Sequence, residues 1–197
     1  MNLPIYKVLI TDDELGIDKI SLVEYPAVES NFLTFSSEKK QVLLSIDNEE
    51  QRIITGVIAR ADFPIYRVEN GYEFYLVFDR EVIKEMAMKM LCDNNQNNIN
   101  LNHKSDSDVN GVLMLELYLK DTEKGINPKG FDDISDGSLF ATYKVLNDEV
   151  WQSIKDGKYL GFSLEGCFDV VRNKTDEELM YDEILGMIES LKNKMKK

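Results

Sequence analysis

A serine and the single histidine of this chain are the side chains best suited to nucleophilic chemistry. Ser163 lies in the segment YLGFSLEGCF (Tyr159–Phe168), and His103 ends the segment INLNH (Ile99–His103). A serine hydroxyl is hardly ionised at neutral pH, so it becomes a nucleophile only beside a base that titrates near the working pH. Histidine is the side chain that meets this condition. Ser163 and His103 together could therefore carry out acyl transfer if folding brings them into contact.

The surroundings of Ser163 allow two interpretations. The nucleophile elbow of α/β-hydrolases has the pattern Gly-x-Ser-x-Gly at a strand-to-helix turn. Here Gly161 and Gly166 are one residue too far apart for that pattern, and no helix follows at once. Alternation instead places Ser163 within a strand, on a face of small and polar residues that also holds Gly161, Glu165, Cys167 and Asp169. Ser163 is then either a nucleophile on a rigid strand or an ordinary residue of a solvated sheet face.

His103 also has a structural alternative. Alternation places it on the apolar side of its strand with Ile99 and Leu101, whereas Ser163 lies on the polar side of its own strand. An isolated histidine can be a structural residue with satisfied hydrogen bonds. A position where a strand meets a loop is nevertheless common for catalytic groups.

A carboxylate would complete the set, because it fixes the tautomer of the imidazole and stabilises the imidazolium. Glu116, in MLELYL, is an acidic residue inside an otherwise apolar strand. A buried carboxylate needs a partner, so Glu116 is the first candidate for the third catalytic residue. The alternative is that its face of the sheet is solvated. Glu165 and Asp169 are rival candidates, since alternation places them on the Ser163 face.

A metal site is a further alternative. The segment HKSDSD (residues 103–108) could hold a metal through His103, Asp106 and Asp108, but one histidine and two aspartates in a loop are a weak signal. The sequence contains no Walker loop and no dinucleotide-binding fingerprint. We therefore expect neither a metal nor an organic cofactor.

The elements that must position these residues are mostly short strands. The predicted strands are Ile5–Ile10, Lys19–Tyr25, Gln41–Ile46, Arg52–Ala59, Tyr72–Phe78, Ile99–His103, Gly111–Lys120, Ser138–Val145 and Tyr159–Val171. Helices are predicted after the caps Asp79 and Asn147, and a capping box at Thr175 and Glu178 precedes a C-terminal amphipathic helix. The pattern predicts an α+β fold with a mostly antiparallel, barrel-like sheet and surrounding helices, in which residues 1–173 form one domain and residues 174–197 the C-terminal helix.

Composition excludes several classes of partner. The net charge of −13 disfavours nucleic acid binding. No apolar run approaches the roughly 20 residues of a membrane helix, so no membrane partner is expected. Two cysteines without a metal-ligand spacing fit a reducing compartment, and we expect a cytoplasmic location.

Four segments, in their order along the chain, carry a resemblance to a known family. They are ISLVEYPAVESNF (Ile20–Phe32), ITGVIARADFPIYR (Ile54–Arg67), NLNHK (Asn100–Lys104) and VLNDEVWQSIKDGKYLGFSLEG (Val145–Gly166). Over about residues 5–171 the chain resembles the phage prohead serine proteases of the XkdF-like group, whose fold is related to the barrel of the herpesvirus assemblins.

The resemblance implies a serine endopeptidase that acts inside assembling proheads in the bacterial cytoplasm. It would cleave extensions of the phage scaffold and major capsid proteins, and usually itself, and it could form a homo-oligomer. On this resemblance Ser163 matches the family serine and His103 the family histidine. The herpesvirus enzymes use a second histidine, which this chain lacks, so the resemblance favours an acidic third residue. The alternative is a non-catalytic capsid-associated or scaffold-like protein with the same fold.

Overall fold

The fold is built mainly from strands. The computed structural model describes residues 3–12, 14–26 and 43–173, together with Met180, Ile184, Leu185 and Met187. Its elements are β1 (Ile5–Leu9), β2 (Gly16–Val23), β3 (Leu44–Asn48), β4 (Ile53–Ala59), β5 (Ile65–Glu69), β6 (Tyr72–Val77), α1 (Arg80–Cys92), β7 (Ile99–Leu101), β8 (Asp108–Val109), β9 (Val112–Leu119), β10 (Leu139–Val145), α2 (Asp148–Lys155), β11 (Gly161–Cys167) and β12 (Asp169–Arg172).

The strands form three four-stranded sheets. Their strand orders are β12-β1-β6-β5, β3-β4-β10-β9 and β11-β2-β7-β8. All neighbouring strands are antiparallel except the pairs β1–β6 and β2–β7. The mostly antiparallel sheet structure is therefore confirmed. Over the described ranges the three sheets are open, and the closed herpesvirus-type barrel stays a prediction.

The inner face of β11 is fixed by aromatic packing. Phe162 is fully buried and lies against Tyr143 of β10, with ring centroids 5.2 Å apart. A Cβ atom on Gly56 of β4 would stand 2.7 Å from the Phe162 ring, so the absence of a side chain there lets the strand approach closely. This contact anchors the strand that carries Ser163 to the second sheet.

Both helices of the described part begin at the caps predicted from the sequence. Asp79 accepts a hydrogen bond from the Val82 amide at 3.0 Å, and Asn147 accepts one from the Val150 amide at 3.0 Å. Each helix buries one apolar face, as the periodicity predicts: Val82, Ile83, Met86 and Met90 in α1, and Val150, Trp151 and Ile154 in α2. Neither helix is long and apolar enough to cross a membrane. The predicted C-terminal helix, residues 174–197, lies outside the described residues apart from the four positions named above.

The last predicted strand, Tyr159–Val171, is in fact two strands in different sheets. The register of β11 against β2 shifts between Glu165 and Gly166, so that β2 contains one extra residue there. A Cβ atom on Gly166 would stand 1.9 Å from the carbonyl oxygen of Gly16, and only glycine permits this crossing. The chain then enters the first sheet as β12, paired with β1. The alternation of faces therefore does not extend from Ser163 to Asp169.

Candidate active site

Three polar residues form a row across the third sheet. Ser163 on β11 is opposite Ser21 on β2, and Ser21 is opposite Asn100 on β7. Side chains of residues directly opposite one another project from the same face of a sheet. All three residues are buried, and Ser163 is only 7% exposed. The interpretation of Ser163 as a residue of a solvated sheet face is therefore wrong.

His103 joins this polar row through a tight turn that follows β7. Asn102 and His103 both have positive φ, 53° and 57°, and the Lys104 amide donates to the Leu101 carbonyl at 3.2 Å. Two successive positive φ values reverse the chain within two residues, as in a type I′ turn. The strand ends at Leu101, so the side-chain direction of His103 does not follow the alternation expected from INLNH. The turn thus explains how a histidine predicted on the apolar side reaches the polar face.

Hydrogen bonds hold the turn to β2 and to Glu24, which directly follows β2. The His103 amide donates to the Ser21 hydroxyl at 2.9 Å, and the Asn102 amide donates to the Leu22 carbonyl at 3.0 Å. The Asn102 side chain accepts from the Glu24 amide at 3.0 Å and donates to the Glu24 carboxylate at 3.1 Å. These bonds position the imidazole next to β2 and β11.

Glu165 is the carboxylate that contacts His103. Its Oε1 lies 2.9 Å from His103 Nδ1 and accepts a hydrogen bond from Asn100 Nδ2 at 2.6 Å. An ionised carboxylate can only accept hydrogen bonds. A neutral imidazole in this contact therefore carries its proton on Nδ1, and Nε2 keeps a free lone pair. This is the tautomer that a general base of a serine hydrolase requires.

Asn100 supports Glu165 from inside the sheet. Its side chain is 1% exposed, and its amide nitrogen faces the carboxylate. The amide orientation follows from the acceptor: a flipped amide would place two oxygens against each other. Its Oδ1 is buried and has no hydrogen-bond partner among the residues that the structure describes. A buried polar group held in this way is costly, which indicates that its position serves Glu165.

The other two candidate carboxylates lie elsewhere. Glu116 is on β9 in the second sheet, where it accepts a hydrogen bond from the Thr142 hydroxyl at 2.9 Å. Asp169 is on β12 in the first sheet, where it accepts a hydrogen bond from the Thr11 hydroxyl. Of the three carboxylates considered from the sequence, Glu165 is the one that the fold brings to His103.

The metal-binding alternative does not match the arrangement of side chains. Both carboxylate oxygens of Asp108 accept hydrogen bonds from Lys19 Nζ, at 2.5 and 2.7 Å. His103 is engaged with Glu165. Within the described ranges, no group of three or more histidine, cysteine, aspartate or glutamate side chains could hold a metal ion.

Ser163 and Glu165 are neighbours on one face of β11, two residues apart. That spacing corresponds to about 6.6 Å between their backbone positions along the strand. Between Ser163 and His103, both of which are described, the structure has no hydrogen bond. In structures without substrate such bonds are often long and tighten only when substrate binds.

Sequence reasoning missed Ser21 and Asn100. The signal that could have found them is the polar side of two strands whose other side is apolar: Ser21 between Ile20 and Leu22, and Asn100 between Ile99 and Leu101. A polar residue at the centre of such a strand is either solvated or part of a buried network. Only the pairing of the strands tells which.

Comparison with known proteins identifies the family of the chain. A family model described as "Putative phage serine protease XkdF" matches residues 40–172, which is more than half of the chain. The chain belongs to this family. The matched range contains Asn100, His103, Ser163 and Glu165, so the resemblance inferred from the sequence is confirmed at the level of the family.

A match to one curated relative shows how much of each protein the similarity covers. The chain is 27% identical over 175 residues to the phage-like element PBSX protein XkdF of Bacillus subtilis (strain 168), a match that covers 84% of this chain. The chain spans 58% of the length of that relative. No solved structure gave a significant match.

Proposed function

We propose that the protein is a serine endopeptidase in which Ser163 is the nucleophile, His103 the general base and Glu165 the carboxylate that orients His103. The observation that carries the proposal is the contact of 2.9 Å between Glu165 Oε1 and His103 Nδ1, next to Ser163 on the same strand face. Glu165 replaces Glu116 as the third member, because Glu116 lies in another sheet. Membership of the XkdF family, whose model is described as a putative phage serine protease, supports the peptidase activity.

The mechanism follows from the free lone pair on Nε2. Substrate binding brings Ser163 Oγ within hydrogen-bond distance of His103 Nε2, which takes the hydroxyl proton as Oγ bonds to the carbonyl carbon of the scissile peptide. The imidazolium, held by Glu165, then gives that proton to the leaving amine, and an acyl-enzyme remains. A water molecule, deprotonated by Nε2, attacks the acyl carbon; the imidazolium returns that proton to Ser163 Oγ as the acyl bond breaks, which releases the acid product and the free serine.

The proposed substrates are proteins of the phage capsid. The proposed activity is prohead maturation: cleavage of extensions of the scaffold and major capsid proteins, and of the protease itself, in proheads assembling in the host cytoplasm. The family description and the name of the PBSX relative support a phage context.

A non-catalytic capsid-associated protein with the same fold is the second candidate function. Two observations favour it: Ser163 is only 7% exposed, and in the described structure its hydroxyl forms no hydrogen bond with His103. In this case the buried polar row would be a structural network that specifies strand pairing.

An active-site serine probe separates the two candidates. The protease requires that a fluorophosphonate labels Ser163, that Ser163→Ala abolishes labelling and that His103→Ala slows it greatly. Ser153→Ala, which removes a serine of α2, is the control that should label normally. Coexpression with the neighbouring capsid and scaffold proteins gives the second readout: identical product masses for wild type and Ser163→Ala would favour the binding protein.

A further inference from the structure

A cleft lies beside the end of β11 that follows Ser163. It has a volume of about 560 Å³ and lies between β11 and residues of β2, β5 and β6. Its apolar wall is formed by Leu76, Phe78, Leu164 and Phe168. Four charged residues also line it: Asp18, Lys19, Arg67 and Glu165. Since Glu165 follows Ser163 by two residues on the same strand face, the cleft begins about 6.6 Å from the nucleophile along the strand, and Leu164 lines it from the opposite face.

Arg67 is the charged residue of this cleft whose N–H groups could bind a ligand. Its side chain is half-buried on β5, and its Nη1 donates to the Tyr66 carbonyl at 3.3 Å. Burial lowers the pKa of Arg67 from its ordinary value, but a guanidinium stays charged at any physiological pH. The ion pairs found in the described part of the chain do not include Arg67. A guanidinium has five N–H donors, so most remain for a ligand.

The other charged residues that line the cleft are either engaged in contacts or negatively charged, so Arg67 is the cation that can bind a ligand there. Lys19 is bound to both carboxylate oxygens of Asp108. Glu165 accepts hydrogen bonds from His103 and Asn100. Asp18 is exposed to solvent. A ligand that enters between the apolar wall and Arg67 therefore meets a half-buried positive charge.

We propose that this cleft binds an aspartate or glutamate side chain of the substrate peptide, with its carboxylate on Arg67 and its aliphatic part against the apolar wall. The inference rests on the proposed peptidase function, and it makes Arg67 a residue that determines cleavage specificity. An extended peptide sends successive side chains to opposite sides. An acidic residue one or two positions from the scissile bond would then reach the cleft while its neighbour faces Ser163.

Cleavage of peptide libraries tests the specificity. The libraries are acetylated, amidated hexapeptides in which each position in turn is fixed as Glu, Gln or Lys and the others are randomised. We expect one position at which Glu is preferred over Gln, and we expect Arg67→Gln to lower kcat/KM for that Glu library about 10- to 100-fold with little change for the Gln library. Arg67→Glu should reverse the preference towards Lys, and Asp18→Asn should increase the preference for Glu.

Binding to Ser163→Ala tests the same cleft without catalysis. The arginine Nε–Hε resonance that disappears in Arg67→Lys reports on the guanidinium. Addition of the preferred Glu library should shift this resonance, and the matched Gln library should not.

The outcomes separate this proposal from the peptidase function. Normal probe labelling of Ser163 with equal cleavage of Glu, Gln and Lys libraries would overturn the specificity proposal and leave the peptidase intact. Absence of labelling at Ser163 would remove the peptidase. In that case an unchanged Arg67 resonance with every library would also overturn carboxylate binding in the cleft, whereas a shift with Glu alone would support it.

Discussion

Glu165 and His103, 62 positions apart in the chain, meet with 2.9 Å between Oε1 and Nδ1. The contact joins β11 to the turn after β7, although β2 lies between these two strands. It exists because two residues of positive φ lift His103 above the sheet, and because Ser21 of β2 is small enough to accept the His103 amide beneath it. The carboxylate that orients the imidazole thus comes from the same strand as the proposed nucleophile.

Removal of the Glu165 charge should slow the reaction of Ser163. In Glu165→Gln the amide oxygen, held by the Asn100 donor, can still accept from Nδ1, but the negative charge that stabilises the imidazolium is lost. We expect fluorophosphonate labelling of Ser163 to fall by about 10²- to 10⁴-fold. Glu116→Gln, a matched change in the second sheet, should label at the wild-type rate. A large loss in Glu116→Gln with normal labelling in Glu165→Gln would reverse the assignment of the third residue.

Asn100 should act through Glu165. Asn100→Ala removes one of the two hydrogen bonds on Glu165 Oε1, and loss of a supporting hydrogen bond of this kind typically costs about 10- to 100-fold in activity. We expect kcat to fall while KM for a peptide substrate changes little, because Asn100 is buried away from the substrate. In the double variant Asn100→Ala/Glu165→Gln the loss should be no larger than in Glu165→Gln alone. Fully multiplicative losses would show that Asn100 acts independently of Glu165.

Gly166→Ala should destabilise the fold at the crossing from β11 to β12. The added Cβ atom would stand 1.9 Å from the Gly16 carbonyl oxygen, so one strand must shift. Overpacking of this kind costs about 1–3 kcal/mol, measured as a lower midpoint in urea unfolding. Lys84→Ala, at an exposed position of α1, is the comparison and should change stability by less than about 0.5 kcal/mol. Equal stability of Gly166→Ala and wild type would contradict the close contact.

Lys120 should stabilise the long loop that precedes β10. It is buried, and its Nζ donates to the carbonyls of Phe131 and Ile134 at 2.8 and 2.7 Å. Lys120→Met leaves these carbonyls without a donor, at a cost of about 2–4 kcal/mol in the free energy of unfolding. Lys129→Met, at an exposed position of the same loop, should change stability by less than about 0.5 kcal/mol. Comparable losses in both variants would rule out a special role for the buried ammonium.

The sequence allowed the prediction of those parts of the fold that local chemistry decides. Asp79 and Asn147 cap their helices as predicted, because capping depends on residues within one turn. The division of the last strand was not predictable from alternation, because it depends on the approach of Gly166 to Gly16, which are remote in sequence. Strand order also depends on contacts between remote segments, and it determines which residues the polar face of each strand contacts.

The candidate site was predictable in part for the same reason. Ser163 and His103 could be chosen from their chemistry, since the chain offers one histidine. The choice between Glu116 and Glu165 could not be made, because an acid in an apolar strand has the same local signal whether a threonine or a histidine is its partner. Strand order and the turn at His103 decide it, and both are tertiary features.

The protonation of the His103 ring tests the central claim most directly. Because the chain contains one histidine, a ¹⁵N-detected spectrum of protein without a histidine tag shows the imidazole nitrogens of His103 alone. At a pH where the ring is neutral we expect Nδ1 to carry the proton in wild type, and the proton to move to Nε2 in Glu165→Ala, where Nδ1 has lost its acceptor. A wild-type ring protonated on Nε2, or a tautomer that does not change in Glu165→Ala, would contradict the proposal that Glu165 prepares His103 as the base for Ser163.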